Sequence, residues 1–148
     1  MISVNEEAPV LARAEIDIDA DPGTVWDIMA DIENWPQWNP DVKSTALRGE
    51  LKPSTQFHWI TSLGEITSVL QDVERPHLLT WMGKTMGINA IHIFKIEEKD
   101  GKTIAMVEES WDGLISSSMH DRMEEMLKES LISVLKCLKK ESEKDYRP

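Results

Sequence analysis

A single cysteine, Cys137, stands in 148 residues. That excludes an intrachain disulfide framework and a cysteine-based metal site. Cys137 falls in an apolar helical stretch, where a buried small hydrophobe is the default role. Basic residues are scarce: 16 Lys and Arg against 27 Asp and Glu leave a net charge of −11. Phosphate contacts need clustered Lys and Arg, so nucleic acid is disfavoured as a partner. Anionic membrane surfaces are disfavoured on the same ground. The one basic cluster, Lys136, Lys139 and Lys140, is interleaved with Glu141 and Glu143. It suits the last turns of a helix. No run of about 20 apolar residues exists, so stable membrane insertion is not expected. The acidic start MISVNEEAPV has neither the basic flank nor the apolar core of a secretory signal, and a cytoplasmic location is the expectation. Also missing are a Gly-rich phosphate loop, a nucleophile elbow and any metal-ligand spacing of His, Asp and Glu. Neither a cofactor nor a metal is expected.

What is present argues for one domain over residues 1–148, a length that buries a sizeable core unaided. Residues 1–9 are polar and are expected to be loose, with 144–148 as a tail. Ala14, Ile16 and Ile18 alternate with Glu15, Asp17 and Asp19, the pattern of a half-buried strand. Asp21-Pro22 then opens a helix, with Asp21 as N-cap and Pro22 at the first position. Val25, Ile28, Met29 and Ile32 fall at i, i+3, i+4 and i+7, one buried helical face. Trp35-Pro36 ends that helix, and Pro36 and Pro40 bracket a short turn.

From Asp41 onward, turn signals recur at short intervals. They place strands near residues 41–49, 55–61, 65–74, 77–83, 88–97 and 103–111. Such spacing predicts an antiparallel meander. A long helix follows, from about Ser116 to Glu143. Met119, Met123, Met126, Leu127, Leu131, Val134, Leu135 and Leu138 keep 3-and-4 spacing along it. Ser116-Ser117-Ser118 is expected to cap its start. The near-heptad period also suits a coiled-coil arm, but a helix lying on the sheet is preferred because the strands need one apolar face covered.

The order β, α, short α, six β, long α is α+β and predicts a helix-grip fold. In it a curved antiparallel sheet of about seven strands wraps a long C-terminal helix, with two short helices after the first strand. The chain resembles the START-like superfamily, in particular its polyketide cyclase/dehydrase-like branch. The resemblance rests on Ile16-Asp17-Ile18-Asp19-Ala20, on Pro22 with Val25-Trp26, and on Trp35-Pro36-Gln37-Trp38-Asn39-Pro40-Asp41-Val42. His92-Ile93-Phe94, Glu109, the Trp111-Asp112-Gly113 junction and the last helix also fit. It runs from about Leu11 to Lys140. It implies an internal cavity and leaves function open, since fold does not settle function.

One hairpin permits a register argument. If Asp100-Gly101 is a two-residue primed turn, Lys99 faces Lys102 and cross-strand pairs sum to 201. Then Ile96 faces Ala105, Phe94 faces Val107, His92 faces Glu109 and Ala90 faces Trp111, all on one face. That face is apolar except for the His–Glu pair. The other face, with Asn89, Lys95, Glu97, Glu108 and Ser110 among isoleucines, is assigned to solvent. A buried carboxylate in apolar surroundings is costly unless a partner satisfies it, and a histidine directly opposite does so. Glu108 and Glu109 are not an acid pair, because neighbours on a strand point to opposite faces.

The ligand-lining candidates are Trp35, Trp38, Phe57, Trp59, Trp81, His92, Phe94, Val107, Glu109, Trp111, Met119 and Met123. Rigid indoles suit a flat or elongated ligand, and methionines adapt to irregular shapes; ordinary core packing is the plain alternative for each. His92 and Glu109 are the catalytic candidates. The segment 83–87, with glycine at both ends, is either a gate or a plain hairpin turn. His58 is expected to face outward and His77 to sit in a turn.

Three functions follow. The first is non-enzymatic binding or transport of a hydrophobic or amphipathic small molecule: a lipid, isoprenoid, aromatic or polyketide-like compound. The second is a cyclase/dehydratase-type enzyme in which His92 and Glu109 move protons on a bound ketone. The third is a ligand-free interaction module, for instance a homodimer.

Overall fold

The computed structural model describes residues 1–144. Tail residues beyond 144 lie outside the described part. Seven strands form one antiparallel sheet in the order β1-β7-β6-β5-β4-β3-β2. They are β1 Val10–Ile18, β2 Val42–Leu47, β3 Gln56–Thr61, β4 Gly64–Glu74, β5 Leu78–Thr85, β6 Ile88–Lys99 and β7 Lys102–Gly113. Between β1 and β2 lie α1 Pro22–Ala30, a 3-10 turn at Ile32–Asn34 and α2 Trp35–Trp38. A second 3-10 turn, Ser117–Met119, leads into α3, His120–Ser142. This is the helix-grip arrangement.

Asp21 caps α1: its carboxylate accepts from the Thr24 N–H at 3.2 Å, and Pro22 takes the first helical position. The carboxyl is held below its ordinary range chiefly by the Thr24 hydroxyl hydrogen bond. Val25, Trp26 and Met29 are buried. The helix breaks at Asp31, so Ile32 is buried from the separate 3-10 turn. Ser116 does not cap α3 through its side chain, nor does Met119. Instead a 3-10 turn carries the chain from Ser117 into the helix, and the helix begins at His120.

The core lies between the sheet's inner face and the helices. From α3 it takes Leu127, Leu131, Leu135 and Leu138, which pack with Val10, Ile18, Phe94, Ile96 and Val107. Met119 and Met126, expected to face the sheet, are exposed, at 38% and 40%. The inward stripe runs through Met123 and the four leucines, one helical step round from the longer apolar series. Full burial of a residue such as Phe57 or Phe94 contributes roughly 1.5–3 kcal/mol.

The outer face is not all solvent. Val4 buries against Leu78 and Ile93. The Ile2 N–H donates to Asp72 at 3.1 Å and the Asn5 N–H to Ser110 Oγ at 3.0 Å. So the N-terminal segment, expected to be loose, is strapped across β4 to β7. One valine in an acidic run supplies the apolar contact, and it covers part of the face assigned to solvent.

Candidate functional site

The β6–β7 turn is the two-residue one that Asp100-Gly101 favours, with φ of 54° and 78°. Lys99 pairs with Lys102, and the register continues through His92 with Glu109 to Ile88 with Gly113. The neighbouring pairings extend it into a row across five strands. Ala12 on β1 faces Glu109, Glu109 faces His92, His92 faces Trp81 and Trp81 faces Leu70.

Within this row the polar groups form a directed chain. Trp111 Nε1–H donates to Glu109 Oε2 at 2.6 Å. Glu109 Oε1 is hydrogen-bonded to His92 Nδ1. Both carboxylate oxygens are therefore occupied, and Nδ1 is the histidine nitrogen that carries the proton toward them. The imidazole stacks on Trp81, with centroids 4.0 Å apart and planes 5° from parallel. His92 is 6% exposed, yet its Nε2 is buried without a hydrogen-bond partner. Buried polar atoms are nearly always paired, and this nitrogen is the unpaired end of an otherwise satisfied network. Trp38 Nε1 is a second such atom.

The aromatic candidates gather beside this row. Trp35 lies 5.6 Å from Phe57, 5.4 Å from Trp59 and 5.5 Å from Trp81. These are mostly edge-on contacts, the favoured geometry for aromatic rings. The Trp35 N–H is satisfied by the Met29 carbonyl at 2.9 Å, and the Trp59 N–H by Ser68 Oγ at 3.1 Å. Phe94 and Val107 sit in the next row, buried in the core. Met123 and Trp38 are half-buried against it. Met119 stands at the 3-10 turn and is exposed.

Sequence reasoning passed over the small residues beside these rings. Trp111 faces Ala90, Ala90 faces Gly83 and Gly83 faces Ser68. This track runs beside His92 and Trp81 on the same face. A Cβ at Gly83 would approach Ser68 Oγ to 2.9 Å, so a larger residue there would have to displace the Ser68 side chain. The strand expected from sequence ends at Gly83, where the turn segment begins, whereas β5 runs on to Thr85. The β5–β6 connection is only the two residues Met86-Gly87, with Thr85 facing Ile88. Residues 83–87 are thus a plain hairpin end.

The surface carries two grooves. One, of about 540 Å³, lies between β1 and α3 and is lined by Leu11, Ala12, Arg13, Asp121, Glu124, Glu125 and Lys128. The other, of about 450 Å³, surrounds the β5–β6 turn. Among the described residues, no group of three His, Cys, Asp or Glu side chains comes together to hold a metal. No described helix is long and apolar enough to cross a membrane.

A seven-stranded open sheet gripping one long helix, with a His–Glu pair among indoles on the gripping face, is the helix-grip class of fold. Solved structures agree on the fold. A hypothetical protein from Helicobacter pylori is 16% identical with a TM-score of 0.82, covering 96% of this chain and 97% of that one. A START superfamily protein from Mycobacterium smegmatis is 17% identical with a TM-score of 0.74, covering 90% and 97%. The di-domain ARO/CYC BexL from the BE-7585A biosynthetic pathway is 17% identical with a TM-score of 0.72; the match covers 93% of this chain and 50% of that one. No curated protein matches the sequence. The family described as polyketide cyclase/dehydrase and lipid transport matches residues 9–143, and the chain belongs to it. That membership supports hydrophobic ligand binding in general terms.

Proposed function

We propose that the protein binds a hydrophobic or amphipathic small molecule over the inner face, its polar end held at His92. The ligand is of lipid, isoprenoid, aromatic or polyketide-like type. The observation that carries this is the buried, unpartnered Nε2 of a histidine whose other nitrogen is committed to Glu109. A ligand hydroxyl would donate to it and remove the one unmet polar demand of the row. Trp35, Phe57, Trp59, Trp81 and Trp111 supply aromatic surface, and Ala90, Gly83 and Ser68 leave room above the strands.

One feature favours a second reading, acid/base catalysis of the cyclase/dehydratase type. With Nδ1–H fixed on Glu109, Nε2 is left with a lone pair that can take a proton from a bound ketone's α-carbon or hydroxyl, while Glu109 stabilises the imidazolium formed. Both readings use the same atom. Native mass spectrometry of the purified protein, together with titration of the uncharged dye N-phenyl-1-naphthylamine, tests the shared part. Expected is a co-purified apolar molecule or saturable dye binding. Protein that carries nothing and binds no dye would be an interaction module, and both readings would fall. Loss of turnover by about 100-fold or more in His92→Ala, with dye binding kept, selects the enzyme.

A further inference from the structure

The row through His92 and Glu109 ends at Ala12, and Ala12 also lines the 540 Å³ groove between β1 and α3. The groove therefore adjoins the row of the His–Glu pair at the β1 edge of the sheet: its Ala12 lies directly opposite Glu109, and Glu109 directly opposite His92.

The two halves of α3 meet the sheet differently here. Leu127, Leu131, Leu135 and Leu138 are all buried, sealing the helix onto the core from Leu127 onward. From His120 to Met126 no residue is buried. In these first two turns only Met123 packs on the core. What joins this end to β1 is polar. The Leu11 N–H donates to Glu124 Oε1 at 3.1 Å, and Lys128 Nζ donates to the Arg13 carbonyl. Both reach backbone groups on the free edge of an edge strand, and both side chains border the groove. Such contacts open at little cost beside a buried leucine stripe, because water replaces them.

The alternative way in, at the end of β6 and β7, is fastened. The Leu114 N–H donates to the Gly87 carbonyl at 3.2 Å. Gly113 sits so close that a Cβ would lie 2.3 Å from that carbonyl oxygen. The groove around the β5–β6 turn abuts this fastened end; it is lined by Thr67, Lys84 and Asn89 on the outer face and by Thr85 and Ile88 in phase with the inner-face Gly83 and Ala90.

We infer that the β1–α3 groove is the portal through which the ligand reaches the His92–Glu109 pair, and that residues 120–126 of α3 are its lid, latched to β1 by Glu124 and Lys128. This rests on the binding reading above. It predicts a kinetic signature that a structural role would not give. Opening the lid changes the path and not the bound contacts, so both rates move together and affinity does not.

The test is stopped-flow binding of N-phenyl-1-naphthylamine to the full chain. In the double variant Glu124→Ala/Lys128→Ala, association and dissociation both rise roughly tenfold for the loss of two hydrogen bonds, while Kd stays within about twofold. In Met86→Ser/Leu114→Ser, at the fastened end, both rates stay within about twofold of wild type. Glu124 and Lys128 are exposed, and far-ultraviolet circular dichroism verifies that the fold is kept. Unchanged rates in the latch variant, or acceleration in the tip variant, overturn the portal while leaving binding intact. Wild-type protein that binds no dye overturns the binding reading, and the portal with it.

Discussion

Two partly buried carboxylates occupy opposite faces of the same sheet, and they are wired differently. Asp72, on the outer face, accepts from the Thr80 hydroxyl at 2.7 Å and from the Ile2 N–H at 3.1 Å. Thr80 in turn accepts from the Asp72 N–H at 2.9 Å. The loop of donors and acceptors closes on itself, and it holds the N-terminal strap in place. Glu109, on the inner face, also has both oxygens occupied, but its network runs on through His92 and stops at a nitrogen with nothing to bond. A closed network has no use for a further group. An open one, set among aromatic rings, can take one, and it is on this difference that the proposed binding role of Glu109, and not of Asp72, rests.

The largest effect expected from breaking the comparison is at Glu109. Glu109→Ala strands the His92 Nδ1–H and the Trp111 Nε1–H in apolar surroundings. Each orphaned donor costs about 1–3 kcal/mol, so a loss of about 3 kcal/mol in urea unfolding is expected. A loss under about 1 kcal/mol would mean that water reaches both donors and that the pair is not sealed.

How much of this was legible in the chain depends on which turn carried the information. Asp100-Gly101 permits left-handed backbone at both positions, so the β6–β7 register and the His92–Glu109 pairing followed from sequence. The β5–β6 turn gives no such signal. It places Met86, a residue poorly suited to positive φ, at 47°, and the two glycines at 83 and 87 suggest a longer loop. That concealed the stack of Trp81 on His92 and the small-residue track through Gly83. Periodicity alone also misjudged the long helix. An apolar series that includes Met119 and Met126 is wider than the stripe a single sheet can cover, so those methionines stay exposed. Val4 escaped notice because one apolar residue among acids has no period to betray it.

Asp72 gives the next largest effect, and it is pH-dependent. Partial burial pushes its carboxyl upward, but the hydrogen bonds from Thr80 and Ile2 and the nearby amino-terminal ammonium outweigh this and hold it below the ordinary carboxylate range. A folded-state value below the unfolded one stabilises the fold at pH above about 4. That contribution fades as the pH falls through the folded value. Asp72→Ala is expected to lose about 1–2 kcal/mol at neutral pH, as two donors lose their acceptor. Amide exchange at Asn5 should quicken as the strap lifts. Wild type and variant should converge in stability as acid protonates Asp72. A gap that persists or widens in acid would contradict the closed-network account.

The smallest effect is the most specific to the open end of the row. His92→Phe keeps an aromatic ring to stack on Trp81 and removes Nε2. It also takes one donor from Glu109, so some stability is lost whatever the site does. A ratio of affinities escapes that complication, because a loosened site weakens similar ligands alike. The pair to compare is 2-naphthol and naphthalene, which differ by one hydroxyl. On the proposed binding role the naphthol hydroxyl should donate to Nε2 of wild type and be favoured; in His92→Phe that preference should shrink by roughly fivefold, the worth of about 1 kcal/mol for one net hydrogen bond. Naphthalene should fall only as far as the shared loss of packing requires. A preference for the hydroxyl that survives the substitution would mean Nε2 does not meet the ligand. His92 would then serve Glu109 as Thr80 serves Asp72, and the two carboxylates would differ only in the face they occupy.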